Sequence, residues 1–139
     1  MRTQRFDATT SLSADRRTAI LAIAGELDLG TAEQLWPRLE RLLTPAPLAA
    51  AAQAGPGRQG PPGPRSGRAG PAEVVLDATG LEFLDSSGLR VLLRGAKLAE
   101  HEGRAFRVVS SNPVVQRVLE LSGAARALDL RPSLTEAFA

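Results

Sequence analysis

The 139-residue chain contains no cysteine, no tyrosine, one tryptophan and one histidine. The missing cysteines exclude disulfides and thiolate metal sites. His101 has no second histidine to join and the acids are scattered, so no metal-ligand spacing is present. Only four phenylalanines accompany the tryptophan, which leaves little for stacking on nucleobases. Long apolar runs are absent too: residues 19–24 and 48–52 fall far below the ~20 needed to span a bilayer. The first residues, Met1 to Asp7, show no apolar h-region and no cleavage pattern. These absences point to a soluble cytoplasmic protein with no cofactor and no membrane insertion.

Charge of one sign is also scarce. Formal net charge is +2, although the sequence pI is about 10.3. Residues 44–72 carry Arg58, Arg65 and Arg68 without an acid, and outside them 14 basic groups face 15 acidic ones. A nucleic-acid binder concentrates positive charge on its folded surface, so direct nucleic-acid binding is not expected. The same segment holds seven of the ten prolines and six of the thirteen glycines. It reads as a disordered insertion at about 44–72 within one domain spanning 1–139. Gly55-Pro56-Gly57-Arg58-Gln59-Gly60 matches G-x-G-x-x-G in letters, but without the strand and helix that a nucleotide loop requires.

The remaining segments alternate between short apolar runs and helical periodicities. Residues 4–10 predict a weak first strand and 18–24 a buried one. Thr31 and Gln34 form a capping-box pattern before a helix carrying Ala32, Leu35, Leu39, Leu42 and Leu43, which Pro37 should kink or delay. After the insertion, strand 73–77, helix 86–101, strand 105–110 and helix 113–122 are predicted. Asn112, Pro113 and Gly123 punctuate the last of these. An edge strand at 126–130 and a terminal helix near 133–138 complete the pattern. Such alternation implies an α/β fold: a mixed sheet of four to five strands, parallel at its centre, packed with about four helices.

The chemistry gathers at Phe83-Leu84-Asp85-Ser86-Ser87-Gly88-Leu89. Leu89, Leu92, Leu93 and Ala96 recur at helical spacing, so the two serines open a helix. First-turn N–H groups lack partners and the dipole there favours negative charge, which suits either a capping side chain or a phosphate. Leu92 and Leu93 should face the sheet, with Arg90, Arg94 and Lys97 forming a basic stripe on the outer side. Catalysis is not expected. His101 lies about 22 Å from Ser86 at ~1.5 Å rise per residue, out of reach for a general base. L-D-S-S-G is also not the G-x-S-x-G elbow. Glu26 and Asp28 form a carboxylate pair without an apolar pocket to tune it.

Three stretches, in order, resemble one family: Ile23-Ala24-Gly25-Glu26-Leu27-Asp28 with Thr31-Ala32-Glu33; Leu81 to Leu89; and Ser111-Asn112-Pro113-Val114-Val115-Gln116-Arg117-Val118-Leu119 with Leu121-Ser122-Gly123. Together they resemble the anti-sigma factor antagonists, single STAS domains of bacterial sigma-factor control. The resemblance implies partner switching. The unphosphorylated antagonist binds an anti-sigma factor serine kinase and frees the sigma factor, phosphorylation weakens the complex, and a PP2C-like phosphatase reverses the mark. It places the phosphorylation site at Ser86, supported by Asp28, Asp85, Ser87 and Gly88, with Leu89, Arg90 and Arg94 toward the partner. Arg90 stands where family members commonly carry glycine, and the insertion has no counterpart. The alternative is a STAS module that does not switch and serves as a subunit of a transporter or stress-sensing assembly.

Overall fold

The computed structural model describes residues 6–44 and 70–137. Most of the expected insertion, residues 45–69, lies outside them. Strand β1 (Phe6–Leu12) runs antiparallel to β2 (Thr18–Leu27). Strands β3 (Glu73–Leu84), β4 (Ala105–Val109) and β5 (Leu130–Arg131) continue in parallel, in the spatial order β1-β2-β3-β4-β5. The helices are α1 (Leu29–Leu43), α2 (Ser86–Glu102), α3 (Pro113–Leu121), α4 (Ala124–Ala127) and α5 (Leu134–Ala137). This is the expected mixed sheet of an α/β domain.

Strand order never reverses, so right-handed crossovers carry successive helices to the same face of the sheet. Alternation does the rest: Ala19, Leu21 and Ile23 of β2 and Val74, Leu76 and Ala78 of β3 point to one side and are buried. Leu35 and Leu39 of α1, Leu92 of α2 and Val115 and Leu119 of α3 close over them in one core. On the opposite face Leu134 of α5 packs against a smaller cluster built on Val75 and Val109.

Several expectations require correction. Strand β3 does not stop at 77 but runs to Leu84, because register shifts at Ala22/Ala24 and Gly25/Glu26 keep it paired with β2. Gly80 permits this approach, since a Cβ there would lie 2.9 Å from the Cβ of Ala24. Helix α1 is neither delayed nor capped at Thr31: it starts at Leu29 under Asp28 and runs through Pro37, which is exposed. Residues 126–130 form no continuous edge strand. They contain the end of α4, a turn and the first residue of a two-residue β5. In α2 the buried face is Gly88, Leu92, Gly95 and Ala99, while Leu93 is only half-buried. Small residues let α2 lie close to its neighbours, and this moved the inward face off the leucine pattern.

A long-range contact ties α1 to the second half of the fold. Arg104, buried in the turn between α2 and β4, donates from Nε to the carbonyl of Leu43 at 2.7 Å and from its guanidinium to the carbonyl of Pro71. Its positive charge complements the carbonyl end of α1. One side chain thereby joins the residues flanking the 45–69 segment. On the sheet's other face, Arg107 pairs with Glu73 and Asp129, and Arg131 also pairs with Asp129.

Candidate functional site

Parallel strands deliver their C-terminal ends to one edge of the sheet, where loops gather side chains. Leu27 pairs with Leu84 at the ends of β2 and β3, and the Asp85 N–H donates to the Leu27 carbonyl at 3.2 Å. Asp28 and Asp85 therefore occupy equivalent places, each the N-cap of the helix that follows.

The two caps are built differently. Asp28 Oδ1 accepts from the Thr31 N–H at 3.1 Å, and Thr31 Oγ1 accepts from the Asp28 N–H at 2.8 Å, a reciprocal capping box. Thr31 is fully buried, and its hydroxyl donates to the Glu26 carbonyl at 2.7 Å. The Thr31 backbone N–H, with help from the hydroxyl, outweighs partial burial and holds the Asp28 carboxyl below its ordinary range. At α2, Asp85 Oδ1 accepts from the Ser87 and Gly88 N–H groups at 2.9 and 3.0 Å. Ser86, at the first helical position, is exposed. Capping by Asp85 thus uses two of the first-turn donors that a bound anion would have taken.

Gly88 makes this closeness possible. A Cβ there would lie 2.6 Å from the Leu27 carbonyl oxygen and 2.8 Å from Leu84 Cδ1. Ser87 is half-buried toward α1, and Leu89 is half-buried against the core rather than displayed. Arg90, one turn beyond Ser86, is exposed. The Arg94 guanidinium sits 4.0 Å from the centroid of the Trp36 ring, a cation–π contact linking α2 to α1. Lys97 is exposed farther along the stripe, and His101 is exposed in the last turn of α2.

Sequence reading did not foresee that three large apolar side chains at the same edge, two of them within the motifs, stand exposed. Leu29 opens α1, Phe83 lies near the end of β3 and Val114 is the second residue of α3, with 66%, 44% and 60% of their surfaces exposed. Leu29 and Val114 follow the ends of β2 and β4, and Phe83 is the penultimate residue of β3. Exposed apolar side chains at the same sheet edge as an exposed hydroxyl suit a protein partner better than a small polar ligand. Among the described residues no helix is long and apolar enough to cross a membrane.

The mixed sheet with two capped helices at its edge fits a STAS domain, and the chain belongs to that family: the STAS domain model matches residues 10–137. The resemblance read from the motifs extends to curated relatives. The chain is 44% identical over 50 residues to the anti-sigma F factor antagonist of Paenibacillus polymyxa, covering 36% of this chain and 43% of that protein. The match spans just under half the length of the curated relatives. Among solved structures, an anti-sigma factor antagonist from Mycobacterium paratuberculosis superposes with a TM-score of 0.68 at 22% identity, over 96% of this chain and 92% of that one. SpoIIAA in its unphosphorylated form gives 0.61 at 19% identity, over 95% and 93%. These superpositions establish the fold.

Proposed function

We propose that the protein is an anti-sigma factor antagonist whose binding to a kinase-type anti-sigma factor is switched off by phosphorylation of Ser86. The observation that carries this reading is the contrast between the two helix starts: the Thr31 hydroxyl is buried and hydrogen-bonded, whereas Ser86 is exposed at a sheet edge that also displays large apolar side chains. A phosphate there adds about −1.5 to −2 charge beside the Asp85 carboxylate, on a surface that must lose water when a partner covers it. Repulsion and desolvation both oppose binding. On this reading the protein acts as a binding regulator; ATP and the transferring base belong to the kinase, and a PP2C-like phosphatase reverses the mark.

Incubation with the anti-sigma factor kinase of the same cell and ATP should add one phosphate, located by mass spectrometry. Ser86→Ala should abolish it and Ser87→Ala should not. Ser86→Ala should still bind, and Ser86→Asp should bind more weakly, though one carboxylate carries less charge than a phosphate. Phosphate on Ser87 would shift the acceptor by one residue. No phosphate with any kinase of the cell would favour the non-switching module.

A further inference from the structure

The N-terminal halves of α1 and α2 leave a cleft of about 320 Å³, lined on the α2 side from Ser87, the neighbour of Ser86. Leu29, Ala32 and Trp36 line it from α1, and Ser87, Arg90 and Val91 from α2. Its character is mostly apolar. Trp36 is the only tryptophan of the chain, and the Arg94 guanidinium stacked on it holds the ring in place. Leu29 stands 66% exposed at the same helix start. A half-exposed aromatic in a concave apolar site beside an arginine is the composition of a binding hot spot.

We infer that this cleft receives an apolar side chain from the protein partner, flanked by an acidic residue that pairs with Arg90. Charge selects the occupant. Arg90 makes no ion pair with a described residue, and Arg94 adds a second positive charge to the lining. Glu33, also in the lining, disfavours an acid on the α1 side. The chain's own 45–69 segment is a poor match in sequence, since it holds Arg58, Arg65 and Arg68 and no acid. An acidic, apolar segment of another protein complements the site.

This placement also deepens the proposed switch, on which the following step rests. Ser86 and Arg90 are four residues apart on one helix, the spacing at which side chains meet. A phosphate on Ser86 competes for the Arg90 guanidinium through a charge-assisted hydrogen bond. The partner's acid then loses its counterion. Phosphorylation would thus act twice, by repulsion at the contact surface and by withdrawal of one arginine from the cleft.

The full chain can be titrated with three capped hexapeptides, EDLFDE, EDAADE and KKLFKK, following the emission of Trp36, since none of them contains tryptophan. EDLFDE should shift the emission saturably, with EDAADE binding about tenfold more weakly for want of the apolar anchors. KKLFKK should bind about fivefold more weakly than EDLFDE, and Arg90→Glu should reverse that order. Thermal melting of Arg90→Glu should match the parent, because Arg90 is exposed. An unsaturable response, or equal affinity for all three peptides, would overturn the cleft assignment. Protein carrying phosphoserine at 86, made by genetic incorporation, should bind EDLFDE as weakly as Arg90→Glu does; unchanged affinity would overturn the withdrawal of Arg90. These titrations need no kinase, so their failure is distinct from failure of Ser86 to accept phosphate.

Discussion

Helices α1 and α2 start side by side from paired strand ends, each under an aspartate, and each carries a hydroxyl within its first turn. At α1 the hydroxyl is an internal part: Thr31 is fully buried and engaged by the Asp28 N–H and the Glu26 carbonyl. At α2 the third helical position is Gly88, buried against Leu27 and Leu84, and the hydroxyls stand at the first two positions, Ser86 exposed and Ser87 half-buried. The same capping chemistry therefore gives one site that stabilises the fold and one that offers an oxygen to a partner. Position within the turn makes the difference. A residue at the third position points back over the strand end, whereas one at the first lies outside the packed layer.

That contrast can be broken most severely at Gly88. Gly88→Val would drive new atoms into the Leu27 carbonyl, and overpacking against backbone should destabilise the domain by about 3 kcal/mol or more, read from urea unfolding. Leu92→Ala should cost about 3 kcal/mol, with Leu93→Ala clearly less because Leu93 is half-buried; the reverse order would place the wrong face of α2 inward. Thr31→Ala should cost about 1–2 kcal/mol, since it leaves the Asp28 N–H and Glu26 carbonyl without their partner. Ser86→Ala should change stability by less than about 0.5 kcal/mol. Equal losses at Thr31 and Ser86 would erase the distinction between the two helix starts.

A smaller effect sharpens it. The Asp28 carboxyl is held below its ordinary range by the Thr31 N–H, so its folded pKa lies under the unfolded value of about 3.9. Stability from this group is complete above the unfolded value and is lost as pH falls through the folded one. Asp28→Asn keeps a good N-cap but removes the titration. Unfolding curves from about pH 5 to pH 3 should therefore fall less steeply in the variant. Parallel acid limbs would show that the capping box adds nothing through its charge.

Much of this architecture was legible in the sequence, and the reasons for the gaps are physical. Strand and helix order followed from apolar periodicity and from punctuation such as Asn112 and Pro113, which form an N-cap and first helical position as read. At α2 the pattern leaves the cap between Asp85 and Ser86, and Asp85 fills it. The extension of β3 was not legible, because Asp77, Thr79 and Gly80 look like a turn, and Asp77 Oδ1 does accept locally from Thr79. Only the neighbouring strand, with its two register shifts, keeps that stretch extended. The α1 cap was misread by three residues, since Thr31 suits an N-cap in isolation while Asp28 fills the role and Thr31 reciprocates. Arg104 left no local trace, because the carbonyls of Leu43 and Pro71 that it joins are far from it along the chain. Contacts between distant segments are where reading by pattern ends.

The central claim is that an exposed serine at the first helical position of α2 controls partner binding. Calorimetric titration of the kinase-type anti-sigma factor against unmodified and Ser86-phosphorylated protein tests it most directly. Affinity should fall by about two orders of magnitude on phosphorylation, through charge repulsion at a desolvated surface. Equal affinity of the two forms would contradict the account.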